Sequence, residues 1–172
     1  MTGRATLLFA ALFASLTATA SLAADPAAQA FVGDAARLNL FQIRSGELAK
    51  ERAAGEATRA YAEEVVTRHK ETQDDLVAAA GKDVQAPAEL DPEQKEKLSA
   101  LEAAPKADFD AAFLSAQIST YAAAGRLYQS YIKEGPAGPV RAFAEQTYPE
   151  LHMLEVRANA LSSPAAVTEG NP

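Results

Sequence analysis

Cysteine does not occur among the 172 residues, which excludes disulfides, iron–sulfur ligation, thiol catalysis and a lipoprotein anchor in one step. Tryptophan is also missing, and histidine occurs twice, as His69 and His152. Valine and isoleucine are thin and scattered, so no stretch alternates as a strand does. What is abundant is alanine, the strongest helix former and a small core residue suited to closely packed helices. With 48% apolar residues, one domain can build a core without metal or disulfide staples. The fold class expected is all-α.

The N-terminus carries the clearest local signal. Met1 to Arg4 is a short basic start, and Ala5 to Ala20 is apolar or small throughout. Small residues at Ala18, Ala20, Ser21, Ala23 and Ala24 offer a cleavage site before Asp25. The pattern predicts a secretory signal over residues 1–24 and a periplasmic or secreted mature chain, with an uncleaved anchor as the alternative. No later segment approaches ~20 apolar residues, so no membrane span is expected in the mature chain. Such a leader carries Arg4 and no acid, so its loss takes the net charge from -7 to about -8. An acidic chain without a Lys/Arg stripe repels phosphate backbones, which argues against nucleic-acid binding.

Residues 25–161 read as one helical bundle and 162–172 as a disordered tail. The first helix, about Ala27 to Arg52, carries Phe31, Ala35, Leu38, Gln42, Ser45 and Ala49 on one face. The second, about Glu56 to Ala80, carries Tyr61, Val65, His69, Thr72 and Leu76 and stops at Gly81. A connection over roughly Lys82–Ala107 holds a short helix, capped by Asp91 with Pro92 in its first turn and Gln94 completing a capping box. Phe109, Phe113, Gln117, Tyr121, Ala124, Tyr128 and Tyr131 trace the next long helix, about Asp108 to Lys133. The last runs from Pro139 to about Leu161, with Pro149 inside it and predicted to open or kink its ladder near Glu145. Two tight helical hairpins joined by one long crossover is the connectivity of ferritin-like four-helix bundles.

That architecture invites a test for a di-iron centre, which takes Glu-x-x-His pairs from two helices. Val66 stands three residues before His69 and Pro149 three before His152, so neither histidine completes such a pair. No Gly-x-Ser-x-Gly elbow, phosphate loop or dinucleotide fingerprint occurs. No catalytic residue is assigned and no cofactor is expected. The ligand-binding candidates are the inward polar residues Gln42, His69 and Tyr121, with His69 a weak alternative metal ligand. Their structural alternative is a buried histidine hydrogen-bonded to Gln42 and to Tyr121. His152 falls off the Leu151–Leu154 stripe and is expected in solvent near Glu155, where one imidazole and one carboxylate leave a metal mostly uncoordinated. Tyr121, Tyr128 and Tyr131 form a band expected to serve core packing.

Phe31-Val32 with Ala35-Ala36, Gly46-Glu47-Leu48-Ala49, Val65 to His69, Phe109-Asp110 and Pro149-x-Leu151 resemble an exported bacterial family, "domain of unknown function 4142". The similarity covers about Ala30 to Leu161. It implies a ferritin-like bundle and an exported protein, and it implies no established activity. The family's pattern places a glutamate on the first helix, an Asp-His pair on the second and a histidine on each of the last two. Here those positions read Gln42, Arg68-His69, Tyr121 and Leu154. Only His69 matches, so the resemblance carries the fold and not a metal function.

These readings lead to an exported non-enzymatic helical bundle, acting as an envelope binding or stress-related module. A metal-binding or redox protein with a degenerate site around His69 is the alternative. A protein partner, or a homodimer through an alanine-rich face, is compatible with the composition.

Overall fold

The computed structural model describes residues 25–82 and 86–163. Five helices follow one another: α1 Pro26–Arg52, α2 Glu56–Ala80, α3 Pro92–Ala103, α4 Phe109–Glu134 and α5 Pro139–Ser162. No strand occurs among the described residues. The expected signal peptide over 1–24 lies outside the described residues, as does the expected tail beyond Ser163, while Ser162 still belongs to α5.

Local chemistry sets the helix ends. Asp25 Oδ1 accepts from the backbone N–H groups of Ala27 and Ala28 (2.8 and 3.4 Å), and Pro26 follows where a missing N–H costs nothing. Gly81 ends α2 at φ 72°, a conformation that strains any residue with a Cβ. The expected capping box opens α3: Gln94 N donates to Asp91 Oδ1 (2.8 Å), and Asp91 N donates to Gln94 Oε1 (3.3 Å). Pro149 sits inside α5, which continues through it. Lacking an N–H, it contributes no ladder bond to the Glu145 carbonyl.

Connectors of a few residues make α1/α2 and α4/α5 antiparallel hairpins. Between the hairpins, the crossover returns the chain along the bundle. The guanidinium of Arg52, at the end of α1, donates to the carbonyls of Leu101, Glu102 and Ala104 (2.9, 2.5 and 2.6 Å). These carbonyls lie in the last turn of α3, where only Leu101 takes a backbone bond, from Ala104 N at 3.2 Å, so Arg52 of α1 caps the crossover helix. The same guanidinium lies 4.7 Å from the ring centroid of Phe109, the first residue of α4. Asp110 reaches back to accept from Ala54 N and Gly55 N (2.9 and 2.8 Å) in the α1/α2 connector. The start of α4 is thereby fixed beside the start of α2, and those two helices run parallel.

The core lies along the bundle axis. Phe31 of α1 stacks on Tyr131 of α4 (centroids 4.2 Å) and meets Tyr128 edge-on (5.0 Å), so the tyrosine band packs one end of the core. Tyr61, Phe41, Phe109 and Phe113 are fully buried toward the middle and opposite end, each burial contributing roughly 1.5–3 kcal/mol. Gly46 lets α1 and α2 approach closely. A Cβ there would lie 2.7 Å from Val66 Cγ2 and 3.3 Å from the Ala62 carbonyl. None of the helices described is long and apolar enough to cross a membrane.

Candidate functional site

The inward faces of α1, α2 and α4 carry polar residues at mid-bundle height: Asn39, Gln42 and Ser45, His69, and Gln117 and Tyr121, each no more than 2% exposed. Helical spacing places them there, since residues three and four apart share a face. Antiparallel α1 and α4 set Asn39 level with Tyr121, and Ser45 level with Gln117. The result is two adjacent polar layers.

In the first layer His69 is held at both ring nitrogens. Nδ1 lies 2.9 Å from Asn39 Oδ1, and Nε2 lies 2.9 Å from the Tyr121 hydroxyl. Asn39 Nδ2 in turn donates to Gln73 Oε1 at 3.2 Å. With its amide nitrogen so committed, Asn39 offers His69 an acceptor. This assigns the Nδ1–H tautomer and leaves Nε2 to accept from the Tyr121 O–H. Burial depresses the imidazole pKa from 6.5 to about 3, so the ring is neutral. Burial also pushes the Tyr121 phenol far above its ordinary range. Beside it, Tyr61 donates to the Leu154 carbonyl (3.1 Å), and its phenol is likewise raised by burial.

Gln42 does not make the bond to His69 expected of it. Asn39, one turn earlier on the same face, takes that place. A helical stripe shows which side chains point inward, but the register between neighbouring helices decides which of two adjacent amides meets a given ring. Gln42 instead belongs to the second layer, where both its Nε2 and its Oε1 are buried without a hydrogen-bond partner. Gln117 Nε2 donates to Ser45 Oγ (3.0 Å), and Ser45 Oγ donates to the Gln42 backbone carbonyl (3.3 Å). Gln117 Oε1 is unpartnered as well. Of the three candidates, the structure therefore joins His69 to Tyr121 and leaves Gln42 apart.

As a donor set for a metal this centre fits poorly. His69 has one lone pair, and the Tyr121 hydroxyl occupies it. Tyr121 is a neutral phenol and Gln42 a neutral amide, while the last-helix position, Leu154, has no donor in its side chain. No carboxylate enters either layer, and no group of three His, Cys, Asp or Glu residues among those described is placed to share an ion. His152 lies where expected, with its side chain 61% exposed and Nδ1 3.5 Å from Glu155 Oε2.

Sequence reasoning missed Asn39, Arg52 and Asp110. Asn39 was detectable, since it falls four residues after Ala35 and three before Gln42 on the inward face. Arg52 and Asp110 act on backbone groups distant in sequence, and no local pattern announces such contacts.

The fold and this closed polar centre define a helical bundle of two hairpins joined by a capped crossover. The chain belongs to the family described as "Domain of unknown function (DUF4142)", whose family model matches residues 13–161. Neither the curated proteins nor the solved structures include a significant match.

Proposed function

We propose that this chain is an exported, non-enzymatic bundle of ferritin-like architecture that acts by binding at its surface, as an envelope or stress-related module. The observation that carries this reading is the closure of His69. Both ring nitrogens are used within the protein, and the ring is neutral. A general base or metal ligand needs a free lone pair directed at substrate or ion, and this histidine has none. Export is supported by the basic start, apolar run and small-residue site over residues 1–24. The ferritin-like assignment is supported by the long crossover between two hairpins.

One observation favours a second reading, a core site for a metal or small polar ligand. The Gln42 amide is buried with neither of its polar atoms satisfied, and such groups ordinarily find partners. Its test is the metal content of the protein, expressed with its own leader and purified from the envelope fraction, beside a His69→Gln variant. The binding-module reading expects metal well below one ion per chain in both samples. One ion per chain in the natural protein, lost in the variant, would establish the second reading instead.

A further inference from the structure

The crossover is attached to the bundle far more lightly than the long helices are attached to one another. Of the 12 residues of α3, two are buried, Gln94 and Leu101, whereas each long helix buries between seven and eleven. Leu90, 3% exposed, precedes α3, and Leu98 is half-buried against the core. Three leucines thus supply most of its apolar attachment, on the side where α3 meets α1 and α4.

Its polar attachment is narrower still. Among the described residues, every hydrogen bond and ion pair joining residues 86–104 to a long helix comes from one side chain, Arg52. The other side-chain polar contacts of the crossover stay within it: Asp91 with Gln94, Lys95 with Glu89 and Lys97 with Glu93. Lys95, and through space Arg44 of α1, hold the Glu89 carboxyl below its usual value. The crossover therefore runs beside α1 from about Arg44 to Arg52. That is the height at which Gln117 bonds to Ser45 across the α1/α4 seam.

We infer that α3 is a strap that opens as a unit while the four long helices stay folded, with the Arg52 guanidinium as its latch. Local opening draws on segments with few buried apolar contacts. A detached helix of 12 residues is marginal in water, so release and melting coincide. The capping box of Asp91 and Gln94 favours the helix again on return. Opening bares Leu90, Leu98 and Leu101 together with the α1/α4 seam, and gives the buried Gln42 and Gln117 layer a path to solvent. The device does not depend on what the bundle binds.

Hydrogen–deuterium exchange of the whole folded chain, resolved by residue, tests this in the natural protein and two variants. Arg52→Met removes the latch donors and keeps an apolar stem beside Phe109. Arg59→Met is the control, since Arg59 likewise donates to two carbonyls, those of Ala53 and Ala54 (2.7 and 3.1 Å), within the α1/α2 hairpin. In the natural protein, the amides of Glu96 to Ala103 should exchange at least roughly tenfold faster than those of Val65 to Thr72 in α2. Arg52→Met should speed the α3 amides by roughly a further tenfold. Arg59→Met should leave them nearly unchanged, even where it speeds α2, because the Arg59 bonds survive when only the strap opens. Equal protection of α3 and α2 in the natural protein would overturn the strap. Equal acceleration of α3 by the two variants would do the same, since α3 would then open only with the whole bundle. No acceleration by Arg52→Met would overturn the latch.

Discussion

Two polar layers lie one helical turn apart in the same core, both built on α1 and α4 with α2 adding His69 to the first, and they handle polarity in opposite ways. Around His69 the bonds run in one direction, from the Tyr121 hydroxyl through the imidazole and Asn39 to Gln73 at the bundle's edge. Around Gln42 the bonds run out: Ser45 links Gln117 to the α1 backbone, but the Gln42 amide and Gln117 Oε1 are left unpaired. Both layers are equally dry, so burial does not separate them. What separates them is complementarity: a histidine that donates once and accepts once meets one acceptor and one donor, whereas the Gln42 amide meets neither. A buried polar group that is matched specifies how helices pack, while an unmatched one carries a desolvation cost of ~1–3 kcal/mol.

The contrast is broken most severely at its centre. His69→Ala leaves a cavity and strips partners from Asn39 and Tyr121 together, so about 3–5 kcal/mol of unfolding free energy should be lost. Chemical denaturation of the purified protein measures this. A loss below about 1 kcal/mol would mean the relay does not organise the core. Asn39→Leu should cost somewhat less, about 2–3 kcal/mol, because it strands the Nδ1–H of a buried ring but keeps volume in place.

Next in size is a dependence on pH. In the unfolded chain His69 titrates near 6.5, and in the fold burial holds it near 3. Between those values the unfolded state binds the extra proton. The neutral histidine's contribution is therefore whole above the unfolded pKa and is lost as pH falls, at about 1 kcal/mol per pH unit between roughly pH 6 and 4. Glu47, held below its usual value by hydrogen bonds from Lys70 and Lys50, acts in the same direction, but this exposed cluster adds little. Denaturant midpoints taken across that window should fall steeply in the natural protein and only shallowly in His69→Gln. Parallel slopes would place the titrating group elsewhere.

How much of this was legible beforehand depends on the range of each contact. Helix ends follow from residues adjacent in sequence, and Asp91-Pro92 with Gln94, or Gly81 after Ala80, announce themselves. The inward faces are nearly as plain, since spacing by three and four brings Tyr61, His69, Gln117 and Tyr121 to the axis. Pairing across helices is a different matter. That His69 meets Asn39 rather than Gln42 depends on the relative height of α1 and α2, which Gly46 and Val66 help fix by close approach. The same holds for Arg52, whose partners lie about fifty residues away in sequence on the carbonyls of α3.

The smallest expected effect has the opposite sign, and it is the sharpest test of the comparison. Gln42→Met keeps length and nearly keeps volume while removing a carbonyl and an amide that the core leaves unpaired. Deleting an unmatched polar group in a dry, well-packed place should stabilise, here by about 1 kcal/mol. Gln117→Met should gain less or nothing, because it also gives up the bond to Ser45. Both variants are read by the same denaturation experiment, with Tyr121→Phe, expected to cost about 1 kcal/mol, marking the matched layer. If Gln42→Met instead destabilises by more than about 1 kcal/mol, the amide has a partner in solution, and the two layers are alike after all.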